Sequence, residues 1–99
     1  MRLEFNFVVG EVERHSIEFS YKQLLGRLII KVDGRRLIRD WRDILPFSYT
    51  KEYPLAVGER ERPYVVIRKT KQRLPYGGSR PQTVTVFIDG RQISEHRTR

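Results

Sequence analysis

The chain contains no cysteine among its 99 residues, and only one methionine and one tryptophan. Without cysteine there are no disulfide bonds, thiolate nucleophiles or thiolate metal ligands. The chain also lacks any apolar run near the ~18 residues that cross a bilayer, so we expect no membrane partner. The N-terminal stretch MRLEFNFVVGEVER interrupts its apolar residues with acids and has no small-residue cleavage site. We therefore expect no signal peptide and a cytoplasmic location.

Hydrophobic residues make up 38% of the chain and aromatic residues 11%. This composition supports a packed globule and argues against wholesale disorder. A length of 99 residues is enough for one hydrophobic core and is short of the size at which chains divide. No linker-like segment interrupts the sequence. We therefore predict a single domain spanning residues 1–99.

Acidic residues are scarce relative to basic ones. Twenty Lys and Arg, fifteen of them Arg, stand against twelve Asp and Glu, which gives a net charge of +8. Such a balance attracts nucleic acid, acidic proteins or anionic lipid, and it is equally compatible with an ordinary Arg-rich surface. Residues 51–99 hold eleven bases against five acids, whereas residues 1–50 hold nine against seven. The excess therefore lies mainly in the second half.

Two stretches, LIIKVDGRRLIRDW and VTVFIDGRQISEH, place Asp-Gly between alternating apolar residues. Asp-Gly favours a two-residue type I′ turn, because both central positions need a positive φ. The sequence therefore predicts two β-hairpins, although a three-residue turn with a glycine bulge would shift their registers. With two-residue turns, the predicted inward faces are Leu28, Ile30, Val32, Arg35, Leu37, Arg39 and Trp41 in the first hairpin, and Val84, Val86, Ile88 and Ile93 in the second.

Period-two alternation continues elsewhere in LEFNFV, HSIEFSY and YVVIRKTK, with PLAV as a further short strand. Seven to eight short strands separated by turn signals predict an all-β fold, an antiparallel β-sandwich or flattened barrel. Only RDWRDIL has a helical flavour, and Pro46 ends it. The segment LPYGGSRP is the most loop-like. We interpret the two Asp-Gly units as recurrent hairpin chemistry, with a duplicated module as the less favoured interpretation.

The run HSIEFSYKQLLGRLIIKVDGRRLIRDW, residues 15–41, resembles the core segment of Fas apoptotic inhibitory molecule proteins. The resemblance lies in the His-x-Ile-Glu-Phe strand, the spaced glycine, the Val-Asp-Gly turn, the following Ile-Arg and the nearby Trp. VTVFIDGRQISEH looks like a later hairpin of that family. The family usually carries two such modules in tandem, and one is expected here. The resemblance implies an antiparallel β-sandwich without enzymatic activity, acting through protein contacts.

Residues suited to catalysis are few. Of the two histidines, His15 falls on the apolar face of its strand and His96 lies in a charged tail. His15 and Glu18 are three residues apart, which places them on opposite faces of a strand. Asp40 and Asp43 are flanked by arginines and fit a solvated ion-pair cluster. We therefore predict no catalytic residue, no metal site and no cofactor.

The densest basic segment is RKTKQRLPYGGSR, residues 68–80, which contains no acid. As a hairpin tip it would suit a phosphate backbone or an acidic protein surface, and as a solvated loop it would only keep an edge strand from aggregating. Tyr49, Tyr53 and Tyr64 suit either base stacking or the core. The candidate binding residues are Arg68, Lys69, Lys71, Arg73, Tyr76 and Arg80.

Two hypotheses follow. The first is a non-catalytic β-sandwich module that acts through protein contacts. The second is a nucleic-acid-binding β domain that uses the basic loop 68–80. The sequence does not specify the partner, the pathway or the oligomeric state.

Overall fold

The structure, a computed structural model, describes residues 2–22, 26–40, 48–72 and 82–98. Within these residues it contains eight β-strands and no helix, and hence no helix long and apolar enough to cross a membrane. The strands are Arg2–Val9 (β1), His15–Lys22 (β2), Arg27–Val32 (β3), Arg35–Asp40 (β4), Tyr49–Ala56 (β5), Tyr64–Lys71 (β6), Thr83–Ile88 (β7) and Arg91–Arg97 (β8).

The strands form two four-stranded sheets in the orders β1-β2-β3-β4 and β5-β6-β7-β8. Strands that are consecutive in sequence are neighbours in space, and the pairs β1–β2, β2–β3, β3–β4, β6–β7 and β7–β8 are antiparallel. The prediction of an all-β antiparallel fold of seven to eight short strands is confirmed, with two sheets as a β-sandwich requires.

The chain separates into two compact units. Unit 1 contains residues 1–44 together with the loop 56–63, and unit 2 contains residues 45–55 and 64–99. The first sheet therefore lies in unit 1 with a loop contributed by later sequence. The assignment of all 99 residues to one domain stays a prediction.

Alternating burial defines the inner face of the first sheet. Ile17, Phe19 and Tyr21 on β2 are fully buried, and the residues between them are more exposed. Phe5 on β1 pairs with Phe19, and their rings stack with centroids 4.8 Å apart. Burying each such side chain contributes roughly 1.5–3 kcal/mol. The period-two pattern of the sequence is thus reproduced in the structure.

The second sheet follows the same rule. The buried apolar residues of β6 and β7 alternate with partly exposed ones, and β5 adds two more buried side chains. Strand pairing places Val65 opposite Ile88 and Ile67 opposite Val86. The buried residues on this face are Tyr53, Leu55, Val65, Ile67, Val84 and Val86.

Both Asp-Gly pairs form the predicted two-residue turns. Asp33 and Gly34 have φ values of +50° and +80°, and Asp89 and Gly90 have +50° and +81°. Positive φ at both positions is the signature of a type I′ turn, whose twist matches that of the flanking strands. The two hairpins are therefore β3–β4 and β7–β8, as predicted.

The predicted faces of both returning strands are wrong from the third residue onward, because each contains a β-bulge. Ile30 pairs with Ile38 and Lys31 with Arg36, so Leu37 is the extra residue and is 54% exposed. In the second hairpin Val86 pairs with Ser94 and Phe87 with Gln92, which leaves Ile93 as the extra residue, 47% exposed. One inserted residue moves every later side chain to the other face.

For the same reason Arg39 lies opposite Ile29, on the outer face of the first sheet, instead of facing inward. Beyond Asp40 the predicted helical turn over residues 39–45, and Trp41 with it, lies outside the described residues. The same holds for all of the loop-like segment LPYGGSRP.

The turns make a first prediction. A Cβ atom at Gly34 or Gly90 would meet no atom within 4 Å, so any cost of substitution arises from the backbone alone. Gly34→Val and Gly90→Val should each lower the free energy of unfolding by about 1–3 kcal/mol, because a β-branched residue resists positive φ. Chemical denaturation measures the loss.

Gly34→Asn and Gly90→Asn are the matched controls, because asparagine tolerates positive φ, and they should cost clearly less. Equal losses for the Val and Asn variants would contradict the type I′ assignment.

Candidate functional site

Two loops of unit 1 are joined by reciprocal hydrogen bonds, in which a glutamate side chain of each loop binds the backbone of the other. We call this arrangement the carboxylate exchange. Glu61 accepts hydrogen bonds from the backbone N–H groups of Glu11 at 2.7 Å, Val12 at 2.8 Å and Glu13 at 3.1 Å. Glu13 in turn accepts from the backbone N–H groups of Glu59 at 2.8 Å and Arg60 at 2.9 Å. Each glutamate thus satisfies the amides of the other's loop. Hydrogen bonds to a charged acceptor are the stronger kind.

These loops have nearly the same sequence. VGEVER at residues 9–14 and VGERER at residues 57–62 differ at one position. Gly10 and Gly58 have φ values of +93° and +90°. A methyl group on either would collide with the carbonyl oxygen of the glutamate three residues later. Only glycine fits this tight turn, which presents the next three amides of the first loop and the next two of the second to a carboxylate.

His15 connects Glu13 to the first Asp-Gly turn. Its Nδ1 lies 2.5 Å from Asp33 Oδ2, and its Nε2 lies 2.7 Å from Glu13 Oε1. Because both partners are carboxylates, both ring nitrogens act as donors, which is the state of a protonated imidazolium. We name Glu13, His15, Asp33 and Glu61 the carboxylate cluster.

Asp33 also fixes its hairpin to the neighbouring strand. Its backbone N–H donates to the Ser16 carbonyl at 2.8 Å, and its Oδ1 accepts from the Ser16 N–H at 2.9 Å. The second sheet repeats this pair: Asp89 N–H donates to the Tyr64 carbonyl at 2.8 Å, and Asp89 Oδ1 accepts from the Tyr64 N–H at 2.9 Å. The position equivalent to His15 is Pro63, so only the first sheet has the histidine link.

The pKa values follow these contacts. The backbone N–H groups of Arg60 and Glu59, with His15, lower the pKa of Glu13 to about 2. The amides of Glu11 and Val12 lower the pKa of Glu61. Hydrogen bonding to Asp33 and then Glu13 raises the pKa of His15, and His15 lowers that of Asp33 in return. The three carboxylates are therefore ionised at neutral pH, and they favour the protonated form of His15.

This arrangement is suited to stabilising the two loops and is poorly suited to catalysis. A general base needs a free ring nitrogen, and both nitrogens of His15 already donate to carboxylates. The carboxylates accept from backbone amides, which leaves them poorly placed as metal ligands. Among residues 2–22, 26–40, 48–72 and 82–98, no group of three acidic or histidine side chains could hold a metal ion. His15 is therefore a hydrogen-bonded structural histidine.

The predicted basic loop begins inside a strand. Arg68, Lys69 and Lys71 all belong to β6. Lys69 is only 1% exposed, and its ammonium group donates to the Tyr49 hydroxyl at 2.6 Å while lying 5.1 Å from the centre of that ring. The interpretation of Lys69 as an exposed loop residue is wrong, because strand alternation turns it to the buried face.

The other candidate residues of the basic loop do not lie together. Arg68 is on the outer face of β6, 3.7 Å from Glu52, with its guanidinium 4.7 Å from the Phe87 ring centre. Lys71 ends the strand and is partly buried. Arg73, Tyr76 and Arg80 lie outside the described residues. Within the part of the chain that is described, the structure brings none of the candidates together around a common point.

The three tyrosines divide between core and surface. Tyr53 is buried, Tyr49 holds Lys69, and Tyr64 is 56% exposed on the outer face of the second sheet. Tyr64, Val66 and Arg68 alternate along that face of β6, and Val66 pairs with Phe87 on β7. We name Tyr64, Val66, Arg68 and Phe87 the aromatic face.

Sequence reasoning missed the carboxylate cluster, although a signal was present. The repeat VGEVER and VGERER stands 48 residues apart, and comparing the two halves of the chain finds it. No protein-family model matches the chain, and no curated protein or solved structure is significantly similar to it.

The exchanged carboxylates make a second prediction. Glu13→Gln and Glu61→Gln should each lower the thermal midpoint, because a neutral amide accepts the same backbone bonds more weakly and also presents an NH₂ donor to them. Glu11→Gln is the matched control, since the structure shows only its backbone amide in the cluster, and it should leave the midpoint nearly unchanged. Equal midpoints for all three variants would contradict the role of the cluster.

The pKa shifts make a third prediction. Glu13, Glu61 and Asp33 have lowered pKa values, so their contribution is present above about pH 4.5 and is lost as the pH falls through those lowered values, which for Glu13 is about 2. His15 has a raised pKa, so its contribution is present below pH 6.5 and is lost as the pH rises through the raised value. The thermal midpoint should therefore be highest at intermediate pH and should fall both toward acid and toward alkaline pH.

His96, whose pKa burial lowers, opposes folding at low pH, and this penalty is relieved as the pH rises through its lowered pKa toward 6.5, below the range in which the His15 contribution is lost. Comparing wild type with His15→Gln isolates the contribution of His15. An unchanged alkaline limb in that variant would contradict the assignment, and so would an unchanged acid limb in Glu13→Gln.

Proposed function

We propose that the protein is a non-catalytic interaction module that binds a protein partner through the aromatic face of its second sheet. The observation that carries this proposal is the composition of that face. It combines an exposed tyrosine, an arginine held against a phenylalanine and a valine between them. Tyr and Arg are the residues most enriched at the energetic centres of protein interfaces.

The geometry of the face supports this use. Arg68 lies 3.7 Å from Glu52 and packs over the Phe87 ring, and these contacts reduce the side-chain entropy that is lost when a partner binds. Tyr64 is held at its backbone by Asp89, which fixes the strand from which the ring projects. A rigid, partly apolar surface of this kind offers binding energy at low ordering cost.

The absence of a catalytic role in this proposal rests on the carboxylate cluster. It is the one grouping of titratable side chains in the described residues that resembles a catalytic arrangement, and its donors and acceptors are engaged with each other. A substrate would have to break the loop structure to reach them. A binding function makes no such demand.

The similarity to Fas apoptotic inhibitory molecule proteins supports the same class of function. Those shared residues that the structure describes lie on β2, β3 and β4 and in the turns beside them, where Ile17, Phe19 and Asp33 perform structural roles. The similarity therefore bears on the framework more directly than on the binding face. We include a family relationship and a cytoplasmic location as parts of the proposal.

Nucleic-acid binding through residues 68–80 has weaker support. Lys69 is buried against Tyr49, and Arg68 already contacts Glu52 and Phe87. A phosphate backbone would find fewer accessible cations on this segment than its composition suggests.

The proposal is tested by capture from nuclease-treated extract of the native host, followed by affinity measurement with the purified partner. Tyr64→Ala should weaken that binding at least about tenfold, as expected for truncation of an interface anchor. Leu37→Ala is the matched control, because Leu37 is exposed to a similar degree, 54% against 56%, in the other unit.

The control should bind like wild type. A partner that is lost on nuclease treatment, or one that Tyr64→Ala and wild type bind equally well, would overturn the proposal. Melting curves of both variants confirm that they are folded before the comparison.

A further inference from the structure

The outer face of the first sheet collects basic residues that are far apart in sequence. Strand pairing sets Arg2 opposite Lys22 and Lys22 opposite Arg27, which forms one row across β1, β2 and β3. Lys31 pairs with Arg36 in a second row. The bulge at Leu37 then turns Arg39 to this same face, opposite Ile29. We name Arg2, Lys22, Arg27, Lys31, Arg36 and Arg39 the basic face.

The charge of this face is strongly one-sided. Its six cationic side chains share the sheet surface with two acidic ones: Glu4, whose carboxylate lies 3.4 Å from Arg2, and Glu18, which is opposite Lys31. The remaining excess equals half of the +8 carried by the whole chain. An open depression of about 220 Å³ lies on this surface, and five of the six cations line it together with Glu4, Ser20 and Ile29.

The face lacks the features that a protein partner or a single strand would use. Every aromatic side chain of the described parts of β1–β4 lies at the alternate, inward positions, so no ring is available to stack on an exposed base. Ile29 is the one apolar side chain in the depression. A protein interface needs a desolvated apolar centre, and one isoleucine does not provide it.

A uniform polyanion needs neither feature, since its affinity comes from phosphate neutralisation and counterion release. We propose that the basic face binds the phosphate backbone of double-stranded nucleic acid without sequence preference. Four of the six cations are arginines, whose planar fork contacts two phosphate oxygens at once. This surface is distinct from the aromatic face and from the basic segment 68–80.

The test uses the full chain and a fluorescent DNA duplex of about 20 base pairs, titrated at several salt concentrations between about 50 and 200 mM. The wild type should bind with a slope of log affinity against log salt of about −3 or steeper. The triple variant Lys22→Gln, Lys31→Gln, Arg36→Gln should flatten that slope by about 2 to 3, since each phosphate contact contributes about 0.9.

A matched triple variant, Arg14→Gln, Arg60→Gln, Arg91→Gln, removes the same charge from exposed residues elsewhere. It should flatten the slope by less than about 1. Equal effects of the two triple variants would overturn the proposal, because binding would then depend on net charge alone. Should the first triple variant fail to fold, Lys31→Gln with Arg36→Gln should still flatten the slope by about 2.

Two further probes identify the occupant. A single strand of the same length should bind no more tightly than the duplex, and polyglutamate should bind more weakly than either. Tighter binding of the single strand or of polyglutamate would overturn the duplex assignment. Tyr64→Ala should leave duplex binding unchanged, so failure of this proposal and failure of the protein-binding proposal remain distinguishable.

Discussion

The exchange of carboxylates between Glu13 and Glu61 is the interaction on which the loops of unit 1 depend. Five backbone amides, in two loops that belong to no strand, find charged acceptors there. Unsatisfied backbone donors are costly, so each loop is stable because the other is in place. Through His15 the same network extends to Asp33, and from Asp33 to the edge of β2. One glutamate therefore couples a loop, a hairpin turn and a strand.

The sequence predicted those parts of the fold that depend on local chemistry. Period-two alternation located the strands, and Asp-Gly located both hairpin turns, because each signal lies within a few residues of the structure it specifies. The bulges at Leu37 and Ile93 escaped prediction, since no residue type demands them and they are defined only by the opposite strand. The carboxylate exchange spans 46 to 50 residues. No local rule connects positions so far apart.

The candidate binding surfaces also depend on strand pairing that the local sequence does not reveal. A dense run of basic residues drew attention to residues 68–80, yet alternation buries Lys69 within that run. The basic face could not be recognised from the sequence, because its members are spread over residues 2–39. The first half of the chain has nine bases and seven acids, so its net charge is small. Strand pairing separates the two signs, placing cations of β1, β2, β3 and β4 side by side. Charge asymmetry here belongs to the sheet and not to any segment.

The two bulges also affect the edges of the sheets. β4 and β8 are the last strands of their sheets, and each has an inserted residue flanked by charged side chains, Arg36 and Arg39 in one and Arg91 and Glu95 in the other. A bulge interrupts the regular spacing of free backbone groups, and charged side chains discourage a further strand from joining. Strand addition from another chain is thereby disfavoured at both of these edges. At these two edges a partner is left to recognise the protein through its side chains and not by extending the backbone ladder.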